Sequence, residues 1–236
     1  MEQTFMKEKK ILPLVLSMSL PMMLSMLVNS LYNIVDSYFV AQISEQAMTA
    51  LSLVYPLQLL ETAIAVGFGI GINAAAAFYL GAGERKNAND VVTSGTLLSI
   101  VHGIVLTLFS IGFARYFVGM FTDQQPILED AVKYAWIVFA FTIPNVVAIT
   151  FEKIFQAEGR MKVSMISMLC GCVVNIILDP IFIFVFHLGV KGAALATVLS
   201  QAVGAIWILR FLSGKKTSLH LRNCLLYTSD AADDMQ

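Results

Sequence analysis

The 236-residue sequence predicts an all-α membrane protein, a six-transmembrane-helix bundle with both ends in the cytoplasm. Three observations support this prediction. Hydrophobic residues make up 58% of the chain and charged residues only 13%, too few to cover the surface of a soluble fold of this size. The charges are clustered and leave long apolar runs between them. The Lys and Arg residues lie mostly on one side of the predicted membrane.

Six runs are apolar enough to span a bilayer, which takes about 20 helical residues. The apolar runs are residues 11–35, 46–83, 91–114, 134–151, 163–190 and 192–209. They contain only two charges, Glu61 in the second run and Asp179 in the fifth, and Asp36 directly follows the first run. The predicted helices cover residues 11–41, 46–80, 88–115, 127–155, 162–186 and 190–212. We expect residues 1–214 to form one six-helix domain and residues 215–223 to form a cytoplasmic connection.

The distribution of basic residues sets the predicted orientation. With the N-terminus in the cytoplasm, only Arg115, Lys133 and Lys191 of the 15 Lys and Arg residues fall on the outer side. Short cytoplasmic loops carry such an excess of positive charge. The sequence therefore predicts a multi-pass protein of the cell (inner) membrane.

Composition and motifs also argue against two broad function classes. The net charge is −1, whereas a nucleic-acid partner would require a basic face. The chain has no His-Glu-x-x-His or Gly-x-Ser-x-Gly motif, and no sequence feature calls for a cofactor. We expect a protein that is not an enzyme and that binds no nucleic acid.

Ionisable residues inside predicted spans are costly and mark functional sites by default. Asp36, Glu61 and Asp179 meet this criterion. Asp36 lies toward the outer end of the first helix, so a place in the headgroup region is an alternative for it. Glu61 could carry a proton, line a cavity or pair with a polar neighbour.

The fifth predicted helix carries a set of oxygen ligands. Asn175 and Asp179 are four residues apart and share a face. Pro180 cannot donate to the carbonyl of Ile176, which leaves another oxygen free. Carboxylate, amide and carbonyl oxygens suit a small cation or a proton relay. The alternative is that Asn175 and Asp179 only hold helices together.

Two further features belong to the same prediction. On the sixth helix, Ala193 and Thr197 are four residues apart, in a small-residue stretch that allows close helix approach. Pro21 removes a backbone hydrogen bond from the first helix and should bend it. The residues alone thus predict a transporter or channel with an ion- or proton-responsive carboxylate cluster.

The end of the chain differs in character from the rest. Residues 224–236 begin with the string Cys-Leu-Leu-Tyr-Thr-Ser-Asp-Ala-Ala-Asp. This string resembles the translation of a sequencing-adapter read-through, so we expect the tail to be non-native. A disordered polar tail is the alternative.

Five motifs, in order along the chain, carry a family resemblance. They are Leu20-Pro21 with residues 33–36 (Asn-Ile-Val-Asp), residues 80–83 (Leu-Gly-Ala-Gly) before Arg85 and Lys86, residues 152–159 (Glu-Lys-Ile-Phe-Gln-Ala-Glu-Gly), residues 175–180 (Asn-Ile-Ile-Leu-Asp-Pro) and residues 189–197 (Gly-Val-Lys-Gly-Ala-Ala-Leu-Ala-Thr). Up to about residue 214 the chain resembles the N-terminal half of the multidrug and toxic compound extrusion (MATE) transporters. The details look closest to the DinF-like prokaryotic branch.

The resemblance implies antiport in which inward flow of H⁺ or Na⁺ drives export of amphipathic, cationic drugs. It implies no cofactor besides this coupling ion. By position, Asp36, Asn175, Asp179 and Thr197 match the polar members of a coupling site and are candidate Na⁺ ligands. Ala193 matches a backbone-carbonyl contributor, Pro21 a proline proposed to bend helix 1 on protonation, and Tyr134 a polar residue of the lobe. Glu61 matches no motif of the family.

A complete MATE transporter has twelve helices, so the resemblance implies one lobe. The expected partners are the lipid bilayer, a small amphipathic substrate and a missing C-terminal six-helix half. Two alternatives remain at this point: a lipid-linked precursor flippase of the wider superfamily, and a truncated fragment without function.

Overall fold

The structure, a computed structural model, describes residues 10–212. The predicted connection (215–223) and tail (224–236) lie outside the described residues. The described residues form seven α-helices and one π-helical segment, with no β-strand among them. The helices are α1 Ile11–Ala41, α2 Glu45–Ala82, α3 Arg85–Gly119, α4 Gln125–Phe139, α5 Thr142–Ala157, α6 Met161–Pro180 and α7 Val190–Leu212, and the π-helical segment Ile181–Val185 follows α6.

Five spans are single helices, counting α6 together with the π-helical segment, and α4 with α5 forms a sixth that is bent by 51°. The sequence predicted one continuous helix there, over residues 127–155. Pro144 accounts for the difference, because it has no N–H to donate to the carbonyl of Ala140 and its ring obstructs the preceding turn. The helix therefore stops at Phe139 and restarts at Thr142.

The outer surface of the bundle carries large apolar side chains, whereas its interior carries small ones. Exposed Leu, Ile, Val, Phe and Met side chains cover much of α1 and α3. The seam of α2 is lined instead by the fully buried Ala50, Ala65 and Ala76. Apolar surface gains little from leaving lipid, so small residues that let helices approach closely hold such bundles together.

The short turns have ordinary local causes. The Ser44 side chain accepts a hydrogen bond from the Ala47 N–H at 3.0 Å and caps the start of α2. Gly83 ends α2 with a φ of 82°, a left-handed conformation that favours glycine. These two signals define the start of α2 and its tight connection to α3.

α6 packs against both α1 and α7. α1 packs mainly against α6, and α7 packs along another side of α6. α1 has little contact with the rest of the bundle and exposes most of its surface. Polar residues of α1, α6 and α7 can therefore meet only along α6.

Candidate functional site

Asp36 of α1 and Asp179 of α6 lie side by side at the seam between their helices. Asp36 is 8% exposed and Asp179 is fully buried, and the two carboxyl groups lie close enough to interact electrostatically. Within residues 10–212, no Lys, Arg or His contributes to the electrostatic environment of either carboxyl. Two ionised carboxylates so close together repel each other, so this pair calls for a shared proton or a bound cation.

Asn175 lies one turn before Asp179 on α6 and extends the same face. It is fully buried. No described residue hydrogen-bonds to either amide atom of Asn175, to either carboxyl oxygen of Asp179 or to Oδ1 of Asp36. Leaving a buried polar group unsatisfied costs about 1–3 kcal/mol. The cluster therefore has free hydrogen-bonding and ligating capacity for an additional partner.

α7 reaches the cluster through a very close approach to the chain that follows α6. A Cβ atom at Gly192 would lie 2.8 Å from the main-chain carbon and oxygen of Phe182, so a side chain does not fit without a shift. Ala193 and Thr197 follow on the same helix, and both are buried. The absence of a side chain at Gly192 thus lets α7 bring Thr197 up to Tyr32, which itself lies near both carboxyls.

The hydroxyl of Thr197 differs from most buried hydroxyls in the bundle. Ser25, Thr96 and Thr150 each donate to the backbone carbonyl four residues earlier, at 2.7–3.0 Å. Such local bonds satisfy a hydroxyl inside a membrane helix. Thr197 Oγ1 has no hydrogen-bond partner among the described residues. This oxygen is available as a ligand.

Two tyrosines border the cluster. Tyr134 of α4, which the sequence predicted, is buried, and its hydroxyl approaches Thr197 and the side chain of Gln58. Tyr32 of α1 approaches Thr197 as well and lies near both carboxyls. Sequence reasoning missed Tyr32 and Gln58. The signal for Tyr32 was its position four residues before Asp36, on the same face of the helix.

The remaining predicted residues lie outside this cluster. Pro21 is buried in α1, and the helix continues through it. Pro180 ends α6 and is followed by the π-helical segment. Glu61 is buried on α2, where its carboxyl faces Thr142 and Asn145 of α5. The structure therefore separates Glu61 from the Asp36 cluster.

The ligands that the cluster offers are carboxylate, amide and hydroxyl oxygens. Hard oxygen ligands suit Na⁺ or a proton better than a soft transition metal. Within the described part of the chain, no three His, Cys, Asp or Glu side chains gather in one place. Asn175 and Thr197 supply the oxygens beyond the two carboxyls.

A separate cavity of about 720 Å³ lies between α2 and α3. Its lining is apolar and includes Ile64, Phe68, Ile72 and Leu98. None of the cluster residues lines it, so it is distinct from the candidate ion site.

Membrane-spanning helices that converge on an uncompensated carboxylate pair are typical of multi-pass transport proteins. The family model described as MatE matches residues 21–181. The chain therefore belongs to the MATE family, a family of transporters, and the predicted family and all-α membrane fold are confirmed.

Relatives and solved structures agree with this assignment. The chain is 30% identical over 220 residues to the multidrug export protein MepA of Staphylococcus haemolyticus (strain JCSC1435), covering 92% of this chain and 49% of MepA. For MepA of Staphylococcus aureus (strain NCTC 8325 / PS 47) the identity is 29% over 210 residues, with coverages of 88% and 47%. The chain spans about half the length of these curated relatives.

Two solved structures show the same fold. An outward-facing multidrug resistance MATE family transporter of the MOP superfamily matches with a TM-score of 0.85 and 30% identity, over 89% of this chain and 47% of that one. A MOP superfamily transporter from Pyrococcus furiosus Vc1 (DSM3638) matches with a TM-score of 0.85 and 30% identity, over 89% and 46%. The helices that carry the candidate site thus follow a known transporter architecture.

Proposed function

We propose that this chain forms the cation-coupling lobe of an antiporter that exports amphipathic, cationic compounds in exchange for H⁺ or Na⁺. The proximity of the Asp36 and Asp179 carboxyls, with no basic residue to compensate them within residues 10–212, carries the proposal. The names of the relatives support the export role, since both are multidrug export proteins.

In this proposal the coupling ion holds α1 against α6. A proton or Na⁺ between Asp36 and Asp179 neutralises their repulsion, and Asn175 and Thr197 add oxygen ligands. Ala193 contributes its backbone carbonyl. When the ion leaves, the carboxylates repel each other and α1 is released from α6. Solved relatives are described as MATE in bent and in straight conformations, which supports a change of conformation during the transport cycle.

Two prolines give the lobe places to move. Pro21 interrupts the backbone hydrogen bonding of α1 on the N-terminal side of Asp36, and Pro180 interrupts it directly after Asp179. We propose that Pro21 bends α1 when the ion binds and that Tyr134 lines the path between the ion site and the substrate. A substrate cavity would form between this lobe and a second six-helix half in the inner membrane, as in transporters built from two related halves.

A thermal-stability titration tests the coupling site. The purified chain in detergent is heated over a grid of pH values and Na⁺ concentrations, with K⁺ keeping the ionic strength constant. We expect the melting temperature of the wild type to depend on pH or Na⁺, and this dependence to be weaker in Asp36→Asn and Asp179→Asn. Glu129→Gln is the control, because Glu129 lies on the surface, paired with Lys133 at 3.0 Å. A wild type indifferent to both ions rejects the coupling site.

An efflux assay tests the export role. Cells that express the chain are loaded with ethidium, an amphipathic cation, and its loss is followed by fluorescence. We expect Asp36→Asn and Asp179→Asn to abolish any efflux while membrane insertion is unchanged. Full efflux by either variant contradicts the proposal.

A lipid-linked precursor flippase is the second candidate function. One observation favours it: the Pyrococcus furiosus relative is described as having a binding pocket of reverse polarity that suggests a different function. Among the described residues the buried carboxyl side chains are Asp36, Glu61, Glu158 and Asp179, and no Lys or Arg is buried, whereas an anionic lipid head group needs a cationic cavity. Scrambling of anionic lipids by the purified protein would reverse the ranking.

A further inference from the structure

Glu61 is a buried carboxyl to which the coupling mechanism assigns no role. It is 6% exposed and lies near the middle of the 38-residue helix α2. An ionisable residue at that depth is expensive and by default marks a functional site.

The side chains around Glu61 offer further oxygens. Its carboxyl faces the hydroxyl of Thr142 and the amide of Asn145. Thr142 is 1% exposed, and its Oγ1 has no hydrogen-bond partner among the described residues. This hydroxyl does not make the local backbone bond that satisfies Thr150 on the same helix. Thr142 therefore has unused hydrogen-bonding capacity beside the Glu61 carboxyl.

Charged groups do not compensate Glu61 within residues 10–212. On α1, Asp36 is engaged with Asp179. On α3, His102 stacks on Phe68 farther along α2, with ring centroids 4.5 Å apart. A buried carboxylate without a counter-ion must take up a proton or hold a cation.

The neighbours of Glu61 on the remaining helices are tyrosine, amide and hydroxyl side chains, which supply no positive charge. Tyr134 of α4 contacts Gln58, which lies one turn before Glu61 on α2. α5 presents Thr142 and Asn145, which are both neutral.

The break in the fourth span gives the carboxylate form partial support. Thr142 is the first residue of α5, and Asn145 lies in the same first turn. The start of a helix carries a partial positive charge that favours a nearby carboxylate. Both the protonated and the ionised form of Glu61 therefore have a source of stabilisation, as an exchangeable site requires.

We propose that Glu61, Thr142 and Asn145 form a second site for a monovalent cation, a proton or Na⁺, apart from the Asp36–Asp179 pair. The inference rests on the proposed function as a cation-coupled lobe. It places a second exchangeable charge at the bend between α4 and α5.

Infrared difference spectroscopy of the full purified chain in lipid nanodiscs tests this site. Spectra are recorded as the pH is stepped, with and without Na⁺, for the wild type, Glu61→Gln, the Asp36→Asn/Asp179→Asn double variant and the Glu129→Gln control. We expect a protonated-carboxyl band that responds to pH, is lost in Glu61→Gln and persists in the double variant and the control. Release of this proton by Na⁺ at constant pH identifies Na⁺ as a ligand, and a response to pH alone identifies the proton.

The outcomes separate this site from the first one. A band at Glu61 that stays unchanged over the whole pH range in which the chain is folded overturns the second site, whatever the aspartates do. Silent aspartate bands with a responsive Glu61 reject the coupling pair instead.

Thr142→Val serves as a second variant, because it keeps the carboxyl and the side-chain shape. Removing the Thr142 hydroxyl takes a polar group away from the ionised carboxyl and should change the apparent proton affinity of Glu61 by about tenfold. An unchanged midpoint in Thr142→Val contradicts the proposed ligand set.

Discussion

Gly192 lies directly against the main chain of Phe182, so that a Cβ atom at position 192 would lie 2.8 Å from the Phe182 carbonyl carbon and oxygen. This contact joins the first turn of α7 to the π-helical segment. Asp179 lies three residues before Phe182, and Thr197 lies five residues after Gly192. The geometry of the candidate ion site therefore depends on a residue that contributes no side chain to it.

Gly192→Ala is expected to move α7 away from the π-helical segment. The backbone atoms it meets cannot rotate aside, so we expect a loss of about 1–3 kcal/mol in stability and a weaker response of the melting temperature to Na⁺ or pH. Gly67→Ala on α2 is the matched control, since a Cβ there meets no atom within 4 Å. Equal melting curves for the two variants would show that the close approach is not required.

Asp179→Asn is expected to stabilise the chain while weakening its ion response. At alkaline pH and low Na⁺ the two carboxylates of the wild type repel each other, whereas the Asn amide can donate to Asp36. We expect a gain of about 1–3 kcal/mol under these conditions. The gain should shrink as the pH falls or Na⁺ rises, because the wild-type pair is then neutralised. Thermal unfolding at several pH values measures it, and a loss of stability at alkaline pH contradicts the interpretation.

Ser167→Ala is expected to loosen the contact between α6 and α7. Ser167 Oγ donates to the carbonyl of Gly204 at 2.9 Å, across the two helices. Interhelical hydrogen bonds in membranes contribute about 0.6 kcal/mol on average. The control is Ser30→Ala, because the exposed Ser30 bonds only within its own helix, to Met26 at 3.0 Å. Chemical unfolding in detergent should separate the two, and an equal effect would mean that the cross-helix bond adds no stability.

Pro144→Ala is expected to straighten the fourth span. Restoring the N–H allows the helix to continue through Ala140, and full straightening from 51° would lengthen α4 plus α5 by about 5 Å end to end. Electron paramagnetic resonance between spin labels at the two ends measures this distance. Pro56→Ala is the control, because α2 is already continuous through Pro56. No lengthening would assign the bend to packing instead of to Pro144.

Much of the fold could be predicted because lipid imposes length and polarity on each span. Long apolar runs bounded by charges gave helices close to those observed. The break between α4 and α5 was not predicted, because the apolar run continues through Pro144. The pattern of apolar residues does not reveal that Pro144 lacks a backbone N–H. The π-helical segment after Pro180 was missed for a similar reason, since no residue type is specific for it.

The sequence predicted those site residues whose burial in a membrane costs much free energy. Buried Asp36 and Asp179 stand out in any apolar run. Tyr32 and Gln58 did not, because partly buried tyrosine and glutamine are unremarkable in a span. The neighbours of Glu61 were also beyond the sequence, since they depend on which face of α5 follows the break.

The placement of Asp36 on a helix that packs mainly against α6 has a consequence for biosynthesis. α1 leaves the ribosome before α6 and α7, so Asp179 and Thr197 are made well after Asp36. Until then Asp36 has none of its site partners and must be protonated or lie near water. The carboxyl that is proposed to couple ions can therefore meet its site partners only after α6 and α7 have been made.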